Sequence, residues 1–326
     1  MNIKVFIMKI FCLTNNKRYE ITSIVKDGFS WSKSIDEFSQ KLEFEVIDKK
    51  VPGYPINPVE EGSVIQIYND DLLEFDGIVL SNVDDSYSAV DFAFYFSKNE
   101  EIYQFNEVAA NICVEEVIKS LEGPVGEIDA SNILIDKIYF EESAGSVISK
   151  IIEEIQVKSG EEFYFYYRKG QFHFKKYPTE VKNFEFNFYN KNYNLNSFVK
   201  SISKSSSIEN MYNSVKVVIK NNKEDYYTET YSDGRNIKKY GIMQKIITVE
   251  AEKSEDSKPV GENFLKANSK VTKSLSLTIP YVKNIWDGDI LKISNEEYEV
   301  DGFFRVISFT KTIKEIGLEL IELEWI

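Results

Sequence analysis

The sequence predicts an α+β protein, mainly β, in which two related small antiparallel β-barrels flank an α/β middle segment. Three observations carry that expectation. Runs of alternating apolar and polar residues recur at both ends of the 326-residue chain, with a 14% aromatic share that suits pleated strands. Between them the apolar spacing lengthens to the helical period. And the phrase GSVIQIYNDDLLEFDGIV, from Gly62, returns as GDILKISNEEYEVDGFF, from Gly288. The implied division is a first barrel over 1–99, an α/β unit over 100–200 and a second barrel over 201–326.

The first segment reads as strand after strand. Val5, Ile7, Ile10 and Cys12 suit an opening strand rather than a signal peptide, because Lys9 breaks the apolar run and no small-residue cleavage site follows. In KLEFEVID, Leu42, Phe44 and Val46 alternate with charged neighbours, as in a half-buried antiparallel strand. Pro52, Gly53, Pro55 and Pro58 make the next stretch a loop. Asn69-Asp70-Asp71 is turn chemistry, after which the chain returns through Asp76-Gly77, and SAVDFAFYF reads as a further strand.

In the middle segment Asn106 is placed to cap a helix running to Leu121 and ended by Gly123-Pro124. Ser143 caps a second helix, whose Val147, Ile148, Ile151, Ile152 and Ile155 share one face, with Gly160 closing it. FYFYYRKGQFHFKKY is a hairpin turning at Lys169-Gly170. The polar run SISKSSSIEN reads as a connection into the last segment. There NSVKVVIK, QKIITVEAE and SLSLTIPYV are strands and ENFLKANSKV a short helix. Near the end the apolar phase slips between Leu320 and Ile321, which suits either a β-bulge there or a strand that exchanges one buried face for another.

Nothing in the inventory supplies a catalytic constellation. His173 is the only histidine; alternation puts Phe172 and Phe174 on one strand face and His173 on the opposite one, and no nucleophile elbow accompanies it. The acidic pairs Glu60-Glu61, Asp70-Asp71, Glu141-Glu142 and Glu296-Glu297 fall in turns or strand ends, and Asp287-Gly-Asp289 lacks the rest of a calcium loop. Cys12 and Cys113 lie in apolar runs without metal spacing and read as buried thiols in a protein made in a reducing cytoplasm. A net charge of −14 without an arginine cluster argues against binding a phosphate backbone and would repel anionic membranes, and no stretch approaches the roughly 18 continuous apolar residues of a membrane span. No cofactor or metal is expected, and the protein reads as a non-enzyme.

The order of elements carries a resemblance. IENMYNSVKVVIK, then a polar stretch with ENFLKANSKV, then SLSLTIPYVKNIWDGDILKI with its Gly288-Asp289 step, resembles the XkdQ/YqbQ-type tail proteins of phages of Gram-positive bacteria. The wider resemblance is to contractile-tail baseplate hubs and the base of the type VI secretion spike. It covers essentially the whole chain. One departure is the segment Val282 to Asp287, which holds Trp286 where the family often carries glycine and proline.

The resemblance implies a homotrimeric hub in which three copies of two barrels form a pseudo-sixfold ring between a hexameric tail tube and a trimeric central spike, among other baseplate proteins. It further implies a place in a virion or phage-tail-like bacteriocin, assembled in the cytoplasm before lysis. A tail-associated cell-wall hydrolase and a carbohydrate- or receptor-binding tail module are the alternatives. The repeat motif comprises Gly62, Asn69, Asp76 and Gly77 in the first barrel and Gly288, Asp289, Asn295, Asp301 and Gly302 in the second; Asp76-Gly77 and Asp301-Gly302 are expected to be structural equivalents, with the acids in turns.

Overall fold

A computed structural model of the chain describes residues 8–47, 56–177, 181–182, 199–220, 226–250, 257–295 and 298–323. The protein is mainly β, built on a 13-stranded sheet that joins both ends of the chain. Its path begins with Ser201–Ser207, Thr272–Pro280, Glu315–Leu323 and Val300–Lys311. It crosses to Ser30–Ser34 and continues through Lys41–Glu45, Ser86–Asp91, Leu72–Val83, Val64–Asn69, Met8–Thr14 and Lys17–Glu20. Ile290–Asn295 pairs with Val300–Lys311 off that path, and Val181–Lys182 lies parallel to Ile290–Asn295. Among the described residues no strand pair closes either half into a ring.

Alternation explains the burial. Leu42 and Phe44 point inward from Lys41–Glu45 while Lys41, Glu43 and Glu45 face water, and Leu275, Leu277 and Ile279 do the same in Thr272–Pro280. One core runs through both halves: Trp31, Phe44, Ile65 and Phe75 belong to the same buried cluster as Leu277, Ile293, Phe309 and Leu318. Ile10 and Cys12 are buried in Met8–Thr14, whereas Val5 and Ile7 lie outside the described residues.

In the middle segment the helix Ala144–Ser159 has the expected ends. Ser143 Oγ accepts from the Ser146 N–H at 3.2 Å, and Gly160 takes the left-handed conformation at φ 72°. Lys169 and Gly170, at φ 54° and 78°, turn the hairpin Phe163–Arg168/Gln171–Lys176. The other helix differs from expectation. It spans Ala110–Ser120, and Asn106 belongs to the strand Glu100–Ala109. Antiparallel rungs Phe105↔Lys137 and Val108↔Ile135 hold the backbone on either side of Asn106-Glu107, which form an irregularity in the strand, and this overrides the capping signal. Likewise SAVDFAFYF is a strand only to Asp91; Phe94–Lys98 is a short helix.

Two expectations for the last segment need correction. SISKSSS is not a connection but a strand, Ser201–Ser207, paired with Thr272–Pro280. The register shift lies between Val306 and Ser308, in the strand facing Leu320, rather than at Leu320-Ile321. Residues between those first two strands form a separate layer. Ser214–Lys220 lies between Tyr226–Ser232 and Gln244–Glu250, and the helix Ser257–Asn268 covers one face through Val260, Phe264 and Leu265.

Candidate functional site: the duplicated strands and a buried ionic seam

The sheet writes one arrangement twice. In chain order, Ser30–Ser34, Lys41–Glu45, Val64–Asn69, Leu72–Val83 and Ser86–Asp91 pair with first beside second, second beside fifth, fifth beside fourth and fourth beside third. Ser201–Ser207, Thr272–Pro280, Ile290–Asn295, Val300–Lys311 and Glu315–Leu323 repeat that order.

Backbone detail matches as well. Gly62 and Gly288 both adopt left-handed angles, φ 85° and 82°. The Gly62 N–H donates to the Val79 carbonyl at 2.9 Å, and the Gly288 N–H to the Val306 carbonyl at 2.8 Å. Return bonds run from Val79 N–H to Ser63 O and from Val306 N–H to Asp289 O, each 2.9 Å. A register shift follows both valines, at Val79/Ser81 and at Val306/Ser308. Pairing carried across the strands aligns VLSNVD (79–84) with VISFTK (306–311), and SWSKSI (30–35) with SKSSSI (203–208).

The two Asp-Gly pairs do not fall at matching rungs. Gly77 faces Ile65, but Gly302 faces Ile293, two residues beyond Leu291, the counterpart of Ile65. Two chain positions separate Asn69 from Leu72 and four separate Asn295 from Val300, and the first hairpin also slips between Ile67 and Tyr68. The surroundings differ accordingly. A Cβ on Gly77 would lie 2.1 Å from the Val90 carbonyl oxygen, whereas one on Gly302 would meet nothing closer than 3.6 Å. Asp76 accepts from Gln66 Nε2 at 3.2 Å and Tyr167 Oη at 3.1 Å, and burial raises its pKa. Asp301 is exposed. Asn69 is buried; the Asn295 backbone pairs with Val300.

Between the repeats lies a buried ionic seam. Lys311 Nζ meets Glu74 Oε2 at 2.8 Å with both side chains fully buried, and Tyr281 donates to Glu74 Oε1 at 2.7 Å. Desolvation lowers the Lys311 pKa, with Glu74 opposing, and its ammonium stands 3.8 Å from the Trp286 ring centroid. Lys33 pairs with Asp287 at 2.8 Å.

Asp289 closes a turn, its N–H donating to the Trp286 carbonyl at 3.2 Å, and its side chain is buried. It accepts from Lys182 at 2.6 Å and from the Trp286 N–H at 2.8 Å. Arg168, from the middle hairpin, donates to the Asp287 carbonyl at 3.2 Å and lies within 4.0 Å of both carboxylates. The residues sequence reasoning missed are therefore Lys33, Glu74, Arg168, Tyr281 and Lys311; their spacing carries no signal beyond strand alternation.

This arrangement locks elements together. Each of these carboxylates is paired with a cation, and Glu74, Asp287 and Asp289 are all buried. Asp91 has its pKa pushed up to about 7 by burial, with Lys33 pulling it down, and its oxygens accept from the Gln40 and Ala93 N–H groups. His173 stacks on Tyr166 and accepts the Glu127 N–H at 3.1 Å. Cys12 and Cys113 are free and buried, and burial drives the Cys113 thiol up to about 12. Among the described residues no group of three His, Cys, Asp or Glu could hold a metal ion, and no helix is long and apolar enough to cross a membrane.

Comparison with known proteins agrees with this fold. The sequence model of the family described as YQBQ-like matches residues 29–321. The chain is 24% identical over 184 residues to the uncharacterized protein YqbQ of Bacillus subtilis strain 168, a match covering 54% of this chain and 53% of that one. The aligned part therefore spans about half of that relative's length.

Among solved structures, a tail protein of Neisseria meningitidis MC58 superposes with a TM-score of 0.71 at 11% identity, over 97% of this chain and 96% of that one. A prophage tail protein of Shewanella oneidensis superposes with a TM-score of 0.68 at 12% identity, over 96% and 98%. These likenesses establish a shared fold.

Proposed function

The chain belongs to the YQBQ-like family, and from that premise we propose that it is a structural hub subunit of a phage-type contractile tail baseplate, in a virion or a phage-tail-like bacteriocin. Three copies form a ring of six repeat units, one face meeting a hexameric tail tube and the other a trimeric spike. Units 1–99 and 201–326 supply the two arcs, and 100–200 braces them; each open arc becomes part of a closed barrel only in the ring. Assembly takes place in the cytoplasm.

The observation that carries this reading is the duplicated five-strand order, with Gly62 and Gly288 making the same backbone bonds. A subunit that presents one surface twice doubles the symmetry of its ring, which is what a junction between sixfold and threefold partners requires. Such a role rests on shape and uses no reacting group. Particle mass in solution, with electron-microscope class averages, tests it. Three copies arranged as six similar lobes are expected. A strictly monomeric protein, alone and with purified tube and spike proteins, overturns it.

A further inference from the structure

Inside one chain the two repeats meet at a single strand pair. The first strand of the first repeat, Ser30–Ser34, lies against the fourth strand of the second, Val300–Lys311, beyond the stretch that Ile290–Asn295 covers. Rungs run Ser34↔Ser308, Lys33↔Phe309, Ser32↔Thr310 and Trp31↔Lys311, and the Ile35 N–H donates to the Ile307 carbonyl at 2.7 Å. The counterparts of both strands exist and are unused among the described residues. Ser201–Ser207 pairs on one side only and ends the sheet. In Leu72–Val83, residues 80–83 lie beyond the stretch covered by Val64–Asn69 and are all exposed.

We propose that these two edges join neighbouring copies of this chain, Leu80–Asp84 of one receiving Ser201–Ile208 of the next in antiparallel register. The pairing already seen at the internal junction fixes the rungs: Ser81 opposite Ser207, Asn82 opposite Ser206 and Val83 opposite Ser205, with Asp84, the first residue of the hairpin turn at φ 49°, just beyond the last rung beside Lys204. Leu80 comes opposite Ile208, as Ile307 lies opposite Ile35. This deepens the hub reading above and rests on it for the count of three; the pairing itself rests on the strand equivalence.

Three features of the free edges fit that occupant. Leu80, Val83 and Ile208 are exposed apolar residues, 41%, 69% and 37% accessible, on edges whose other exposed residues are polar or charged. Their counterparts Ile307 and Ile35 are partly covered at the internal junction. The one cation on the outer strand, Lys204, falls beside an anion, Asp84, in the turn that ends the facing strand, and an exposed pair of opposite charges there favours the contact modestly. In the isolated chain Lys204 donates to the Tyr298 carbonyl at 2.6 Å, which leaves two of its ammonium protons for a carboxylate. Finally, Ser201–Ser207 is seven residues long and holds neither proline nor, apart from Lys204, any charge. An edge of that kind is unprotected against pairing with another strand. Because donor and acceptor edges differ, the contact is head-to-tail, and with the threefold rotation of the hub reading it closes into a ring.

The double variant Ser81→Cys/Ser207→Cys tests the register. Both sites are exposed, and the two native thiols are buried. Ser34↔Ser308 is the rung next to the Ile35–Ile307 bond, so its counterpart is a close, non-hydrogen-bonded rung. Cα atoms there sit about 4.5 Å apart, within disulfide reach. Within one chain the two edges are seven strand positions apart, about 34 Å along the sheet. A disulfide between them therefore links copies.

Under mild oxidation the expected product is a covalent trimer on a non-reducing gel, collapsing to monomer with reductant. The out-of-register pair Val83→Cys/Ser207→Cys should cross-link far less. Asp84→Lys should weaken association up to about fivefold per junction, and Asp84→Lys/Lys204→Asp should restore it. A three-copy ring that gives no cross-link overturns the junction and leaves the hub reading standing. Linked species extending beyond three support the junction and overturn the threefold closure. A protein that stays monomeric and unlinked when concentrated and when mixed with tube and spike proteins overturns both.

Discussion

Replacing Lys311 with methionine should cost far more than the loss of one ion pair on a surface. At 2.8 Å the attraction between Lys311 and Glu74 is about 6 kcal/mol at an effective dielectric of about 20. Removing each ion from water costs several kcal/mol, so the intact pair contributes little net stability. Breaking it is different. Lys311→Met leaves the Glu74 carboxylate fully buried with only the Tyr281 hydroxyl to satisfy it, and such losses run to about 3–5 kcal/mol. Glu74→Gln/Lys311→Met removes both charges while the Gln carbonyl still accepts from Tyr281.

The double variant should therefore recover at least half of that loss, with a coupling of about 2 kcal/mol or more. Urea unfolding followed by tryptophan fluorescence is the assay. Trp286 lies under the Lys311 ammonium and Trp31 packs near Tyr281, 6.2 Å between ring centroids, so the signal reports the seam. A Lys311→Met loss below about 1 kcal/mol, or single losses that simply add in the double variant, would refute the claim that burial governs this pair.

Other expectations follow from the same geometry. Gly77→Ala forces a Cβ against the Val90 carbonyl and should lower stability by about 1–3 kcal/mol, whereas Gly302→Ala should be nearly silent; equal midpoints in denaturant would contradict the spacing. Gly288→Ala should cost more than Gly62→Ala. Both force a left-handed angle on alanine, about 1 kcal/mol, but only the Gly288 Cβ also presses the Tyr164 ring, at 3.0 Å. Asp91 binds its proton more tightly folded, at about 7, than unfolded, near 3.8. Its neutral form therefore adds stability that is fully present below the unfolded value and is lost as pH rises through 7. Asp91→Asn should flatten that fall between pH 4 and 7, measured as unfolding free energy against pH; an unchanged slope would count against it.

How much of this was legible in the sequence depended on how local each signal is. The caps at Ser143 and Gly160 and the Lys169-Gly170 turn are settled within a few residues, and the structure places them where the sequence does. The helix start at Asn106 was not, because its neighbours are held by a strand some thirty residues away. The ionic seam was invisible for the same reason at greater range. Lys33 and Asp287 are 254 positions apart and Glu74 and Lys311 are 237, and each reads alone as a solvated strand residue. The repeat was half legible. Gly62 and Gly288 occupy the same place, but Asp-Gly misled, since connections of different length shift the return strand by two rungs. The signal that could have helped, SWSKSI against SKSSSI, is short and serine-rich.

The differences between the two repeats are themselves informative at the equivalent strand pairs. Trp31 and Lys33 in the first repeat correspond to Lys204 and Ser206 in the second; Phe309 and Lys311 in the second correspond to Asn82 and Asp84 in the first. Each large or deeply buried residue sits at the internal junction, where the chain is always together and a desolvated seam can be completed during folding. Each replacement at the outer edges is small or polar, on a surface that must remain soluble before it finds a neighbour. A junction made of backbone bonds, three apolar side chains and one exposed charge pair forms without first stripping water from buried ions. That is the chemistry expected of a contact made between finished subunits. The inner junction, with two buried cation–carboxylate pairs, is expected to persist as long as the chain stays folded.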